Sequence, residues 1–183
     1  VNLLPPLPDE CRRIAIDPDR LSARVGELGQ EICARHPDSR LRLVTVLRGG
    51  IFFLADLCRE LDADVTIDFL AVAAYTPGRG GAVRVTKDLD DDIEGETVIL
   101  VEDVVDTGLT VNYVMSLLRA RNPARLELCT LLDKPTRRIA DVPIDYTGFA
   151  MSDRFLVGYG LDLAGRYRNL PYIAELNKEA VLR

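Results

Sequence analysis

Four apolar runs of strand length, interleaved with turns and helical segments, restrict what this chain can become more than any other feature. They are LRLVTVL (41–47), VTIDFLAVAAY (65–75), TVILV (97–101) and RLELCTLL (125–132). Their β-branched and aliphatic content marks them as strands. IFFLADLCREL (51–61) and TVNYVMSLLRAR (110–121) carry helical periodicity between them. Upstream, Asp17-Pro18 reads as an N-cap and first helical residue. Leu21, Val25, Leu28 and Ile32 then recur at helical spacing, giving a helix to about Ala34. Strand and helix in alternation imply an α/β fold, a mainly parallel twisted sheet flanked by helices. In such sheets ligands bind beyond the carboxyl ends of the strands, where this chain places its glycines and acids.

The flanking regions break this rhythm. Residues 1–16 are proline-rich and irregular, ending in a short strand near Arg13–Ile16. TPGRGGAVR (76–84) is expected to be a mobile loop, because its glycines and proline support no stable element. A strand near Val83–Lys87 follows, and the acidic run from Asp88 to Glu96 reads as a solvated turn. After Pro143, short strands near Tyr146–Phe149 and Phe155–Val157 replace the alternation.

A chain of 183 residues suits one domain, and its 48% hydrophobic content supports a core. Trp is absent and aromatics are 6%, so aliphatic packing must dominate. A net charge of −6 argues against general nucleic-acid binding, which neutralises phosphates with basic residues. Cys11, Cys33, Cys58 and Cys129 form no CxxC pair and read as isolated reduced thiols of a cytoplasmic protein. His36 is the only histidine, so zinc sites and Ser-His-Asp triads have little to work with; its Pro37-Asp38 neighbours place it in a surface loop. No apolar run is long enough to span a membrane, and VNLLPPLPDE lacks the pattern of a signal peptide.

VILVEDVVDTGLT (98–110) carries the chemistry. A buried strand runs into Asp-Thr-Gly-Leu-Thr and then a helix, which leaves free backbone N–H groups at a helix N-terminus. That is an anion site without a basic side chain. Thr107 and Thr110 add hydroxyl donors, and Gly108 permits close approach. The Walker A pattern is missing. Glu102 and Asp103, adjacent at the end of the strand, suit a pair of vicinal hydroxyls or a hydrated Mg²⁺. A ribose 5-phosphate fits both halves. As a simple structural feature, the acid pair would only end a strand in solvent, and Asp106 would only cap the helix.

The whole run resembles the signature of the type I phosphoribosyltransferases, which use 5-phosphoribosyl 1-pyrophosphate (PRPP). LRGG (47–50) resembles that family's pyrophosphate turn. LLDKPTRR (131–138), DYTGFAMSDRFLVGYGLD (145–162) and YRNLPYI (167–173) are similar to the bacterial hypoxanthine-guanine enzymes. The resemblance implies a core of about residues 17–142 and a small hood from about 1–16 and 143–183. It assigns the ribose hydroxyls to Glu102 and Asp103. The 5′-phosphate falls to the turn of Val105, Asp106, Thr107, Gly108, Leu109 and Thr110. Asp106 would be catalytic, exchanging a proton with the purine near N7. Arg48, Gly49 and Arg168 would meet pyrophosphate. Lys134 would recognise the O6 carbonyl, Phe155 would stack on the base and Leu156 would meet its edge. Glu102, Asp103 and Asp162 would serve Mg²⁺. Ala74 and Tyr75 would belong to a flexible loop, with Ala74 replacing the family's usual Ser. The peptide at Arg48 is often cis in the family.

The implied reaction is Mg-dependent transfer of phosphoribosyl from PRPP to N9 of hypoxanthine or guanine. A xanthine-preferring enzyme is the alternative closest to it, and an RNA-binding regulator of the same fold is a rival from another class. No nucleic-acid or membrane partner is expected, and relatives imply a homodimer or homotetramer.

Overall fold

The computed structural model describes residues 4–37, 39–73 and 84–181. Its larger sheet contains β2 (Leu41–Val46), β3 (Val65–Ala73), β4 (Arg84–Lys87), β5 (Thr97–Val105), β6 (Arg125–Asp133) and β7 (Tyr146–Ala150), in the order β4-β3-β2-β5-β6-β7. All pairings are parallel except β3 with β4. A second sheet holds β1 (Cys11–Ile16), β9 (Ile173–Leu176) and β8 (Leu156–Val157), all antiparallel.

Helix α1 (Pro18–Arg35) begins as its sequence requires. The Asp17 carboxylate accepts the Arg20 amide at 2.9 Å, and Pro18 occupies the first turn, where its missing N–H costs nothing. Its stripe of Leu21, Val25, Leu28 and Ile32 is buried beside Leu41, Leu43 and Ile99 of the sheet, with Phe53, Leu54 and Leu57 of α2 (Ile51–Leu57). Helix α3 (Leu109–Arg119) covers the opposite face, burying Val111, Val114, Met115 and Leu118 among Val44, Val98 and Leu100. Helices on both faces explain why the central strands are mostly apolar.

Several expectations are corrected. α2 stops at Leu57, short of Leu61, because the chain must turn back towards β3. β5 continues past Val101 to Val105, so Glu102 and Asp103 lie inside the strand rather than at its end. β7 pairs in parallel with β6 from Cys129↔Tyr146 to Asp133↔Ala150, which carries the large sheet beyond the expected core boundary at residue 142. Its alternation failed as a cue because it is a short edge strand. The acidic run is only partly solvated: Ile93 is fully buried, Asp88 pairs with Arg121, and Asp91 and Glu96 pair with Arg42. His36 is buried too. It caps the end of α1, with Nε2 2.8 Å from Glu127 Oε2, and Tyr146 donates to the same oxygen at 2.8 Å. The four cysteines are free, and burial pushes the Cys129 thiol far up. No described helix is long and apolar enough to cross a membrane. Ala74, Tyr75 and most of the expected loop lie outside the described residues.

Candidate active site

The strand order reverses between β2 and β5, and their carboxyl ends feed the two turns singled out in the sequence. After β2, the Leu47–Arg48 peptide is cis, and Gly49 and Gly50 lead into α2. Gly49 leaves room for the acid pair: a Cβ there would stand 1.7 Å from Asp103 Oδ2 and displace that carboxylate. The pyrophosphate-type turn and the acid pair are therefore in direct contact, although they are far apart in sequence. Gly50 is equally constrained, since its Cβ would fall 2.1 Å from Thr45 Oγ1.

The β5 turn is built as an anion cradle. The first intrahelical bond of α3 runs from the Asn112 amide to Gly108 O at 2.8 Å, so the amides of the first turn have no intrahelical acceptor. Gly108 adopts φ 81°, and Leu109 and Thr110 are exposed beyond it. The helix is capped at Gly108 rather than Asp106, correcting the capping expectation for that carboxylate. Thr107 Oγ1 instead accepts the Leu109 amide at 3.4 Å. Asp106 stays half-buried, with Arg137 Nε 2.9 Å from its Oδ1 at an angle that makes no hydrogen bond.

The acids inside β5 are held at a cost. Glu102 is buried and its Oε1 has no hydrogen-bond partner. Burial, with the Asp103 charge beside it, pushes its carboxyl well above the usual range. Burial likewise raises Asp103 to about 6, against the bond from the Val104 amide and the pull of Arg168. A buried acid pair with raised carboxyls, one oxygen of which has no partner, suits hydroxyl donors or a cation. Among the described residues no three such side chains cluster into a preformed metal cage.

The small sheet and its hairpins close the site from above. Gly160, at φ 100°, approaches so near that a Cβ would lie 2.0 Å from Gly49 O. Asp162 and Arg168 pair at 2.7 Å on that hairpin, and both act electrostatically on Asp103. On the other side, Lys134 follows β6 and is buried; its Nζ donates to Arg154 O at 2.6 Å, and its amide donates to Val105 O at 3.0 Å. Burial lowers the Lys134 ammonium, opposed by Asp106 nearby. Phe155 is 53% exposed and free to stack, whereas the Leu156 side chain is buried in β8 and offers only its backbone. Thus Gly49, Asp103, Asp162 and Arg168 come together on one side of β5, and Asp106, Lys134 and Arg137 on the other. Arg137, Thr45 and Gly160 were not anticipated. LLDKPTRR contains Arg137, but nothing in the spacing ties it to Asp106.

The phosphoribosyl transferase domain model matches residues 17–163. The hypoxanthine phosphoribosyltransferase of Salmonella typhimurium is 44% identical over 89% of this chain and 94% of its own length. The hypoxanthine-guanine phosphoribosyltransferase of Bacillus subtilis is 40% identical over 91% of this chain and 94% of its own. A crystal structure of a Staphylococcus aureus hypoxanthine phosphoribosyltransferase superposes with a TM-score of 0.90 at 37% identity, covering 93% of this chain and 94% of that one. A strand-order switch point with an acid pair, an amide-lined turn and this degree of likeness along the chain place it in the phosphoribosyltransferase family.

Proposed function

We propose that this chain transfers phosphoribosyl from PRPP to N9 of hypoxanthine or guanine, releasing pyrophosphate with inversion at C1′, and so serves purine salvage. The observation that carries the reading is Lys134, whose buried ammonium sits beside the Asp106 turn. An ammonium has donors only, so it suits an O6 carbonyl and rejects the exocyclic amine of adenine. The names of the relatives point to the same acceptors.

The chain's residues divide the work. The 107–110 amides and hydroxyls hold the 5′-phosphate. Glu102 and Asp103 accept the ribose hydroxyls, and Asp106 handles the purine proton. The backbone at Arg48 and Gly49, with Arg168, orients the pyrophosphate, and Phe155 covers the base. Mg²⁺, when bound, neutralises charge on the leaving pyrophosphate. Glu102, Asp103 and Asp162 would hold it, the unpartnered Glu102 Oε1 being the atom that most needs a cation or hydroxyl. Exposed Ile51, Phe52 and Ile67 support a homodimer or homotetramer, which light scattering would measure. Four free cysteines suit the cytoplasm.

Pyrophosphate release from PRPP and Mg²⁺ with hypoxanthine, guanine, xanthine or adenine tests the proposal. Hypoxanthine and guanine should be used and adenine refused. Fastest turnover with xanthine would move the reading to that acceptor. No release with any base, together with an RNA gel shift, would replace it with the regulatory role.

A further inference from the structure

We propose that Arg138 is a positioning residue of the phosphate turn, fixing both the 5′-phosphate cradle and Asp106 from behind. The inference rests on the proposed transferase reading but concerns a residue that contacts no substrate in it.

The argument begins with the carbonyls of the turn. If the amides that follow Val105 face the cleft, the carbonyls of Val105, Asp106 and Thr107 face the protein, where an unmet acceptor is costly. The segment after β6 meets all of them. Lys134 N donates to Val105 O at 3.0 Å, and Ile139 N and Ala140 N donate to Thr107 O at 2.9 and 3.0 Å. The Asp106 carbonyl lies between these and is met by a side chain: Arg138 Nε donates to it at 3.2 Å. Arg138 Nη2 also reaches Val105 O at 3.4 Å.

The guanidinium is held in turn. Its Nη2 donates to Asp133 Oδ1, and both side chains are only 18% exposed. Asp133 ends β6, in register with Val105 of β5 and Ala150 of β7. The clamp is thus tied to the end of the sheet rather than to a loose loop. Independently, the stem of Arg138 lies under Gly108: a Cβ at Gly108 would stand 2.9 Å from Arg138 Cδ and 2.8 Å from Ala140 O. Arg138 and Gly108 therefore fit each other, and the positive φ that lifts the first amides of α3 is seated on the arginine stem.

A lysine could not do the same. Two carbonyls and a carboxylate call for donors diverging from a planar fork, which guanidinium supplies and a single ammonium does not. The chemistry predicts which ligands should suffer. Groups held by the turn, the 5′-phosphate and the purine opposite Asp106, depend on Arg138. Pyrophosphate, held by the Arg48–Gly49 turn and Arg168, does not.

The test is Arg138→Met, which keeps most of the stem and removes every donor, with Arg138→Lys and Arg138→Ala beside it. IMP binding by calorimetry should weaken roughly 10- to 100-fold in Arg138→Met, with kcat and KM for PRPP impaired to a similar degree. Inhibition by Mg-pyrophosphate should stay within about twofold of wild type. Arg138→Lys should recover only part of the loss, and added ethylguanidinium should restore turnover in Arg138→Ala. IMP binding and turnover within twofold of wild type in Arg138→Met would overturn the proposal. So would equal losses for IMP and pyrophosphate accompanied by a lowered melting temperature, the mark of a general structural role. Wild-type protein inert with every purine would instead sink the underlying transferase reading.

Discussion

The same parallel strands carry buried charge at both ends, and the two ends treat it in opposite ways. At the amino end, Glu127 has His36 and Tyr146 each at 2.8 Å, with Arg35 Nε 3.5 Å from its other oxygen. Burial alone would raise its carboxyl, but the His36 and Tyr146 bonds outweigh it and hold Glu127 below the usual range. Nearby, buried Arg42 is matched by Glu96 at 2.5 Å and Asp91 at 3.0 Å. At the carboxyl end, Glu102 Oε1 and Thr45 Oγ1 are buried without partners, and Asp103 is raised to about 6. One end satisfies its charges within the chain. The other leaves Glu102 Oε1 and Thr45 Oγ1 unmet, as suits a site that completes itself with a ligand. The amino end contributes stability, and the carboxyl end gives some of it up.

The largest effect expected from this contrast is on stability. Glu127→Ala should cost about 3–5 kcal/mol in urea unfolding, because it strands His36, Tyr146 and Arg35 around an empty place. Its turnover per folded molecule should match wild type; a large loss of activity would show that the two ends are coupled. Asp106→Asn should do the reverse. Turnover at saturating substrates should fall about 100-fold. Its unfolding free energy should change by less than about 0.5 kcal/mol.

Smaller, but most diagnostic, is the opposed pH dependence. The folded chain favours protonated Asp103, whose carboxyl rises from 3.8 to about 6. Its contribution to stability is therefore present at low pH and lost as pH rises through that interval. Asp103→Asn should gain little near pH 4 and up to about 3 kcal/mol well above pH 6, in the absence of Mg²⁺. Glu127, held low, contributes stability above its ordinary value of 4.5 that is lost as pH falls through its folded value. Equal pH dependence for Asp103→Asn and wild type would break the contrast. The smallest effect belongs to Thr45→Val. Replacing an unpartnered hydroxyl with a methyl of the same shape should be neutral or stabilising by up to about 1 kcal/mol on thermal denaturation.

Much of this arrangement is legible in the sequence. The strand-helix alternation gave the parallel sheet because periodicity is local, and Asp17-Pro18 gave the start of α1 for the same reason. The acids and turn of 102–110 were readable because one contiguous strand, turn and helix carries them. His36 was misread because its partners stand 91 and 110 residues away in sequence, and a lone histidine beside a proline carries no trace of them. Arg137, Gly160 and the Thr45–Gly50 contact were invisible for the same reason. β7 was set apart from the core because a short edge strand has too little pattern to reveal its neighbour.

By itself, then, the sequence determined the alternating elements, the N-cap of α1 and the amide-lined turn with its acids, all of which depend on residues within a few positions of one another. Only the tertiary structure decided that Gly49 lies against Asp103, that Gly160 closes over Gly49, that Lys134 stands beside the Asp106 turn, and which buried charges have partners. Those facts depend on strand order and on the distance between backbones. Such contacts arise where the chain returns to itself, and a local pattern of residues does not encode the point of return.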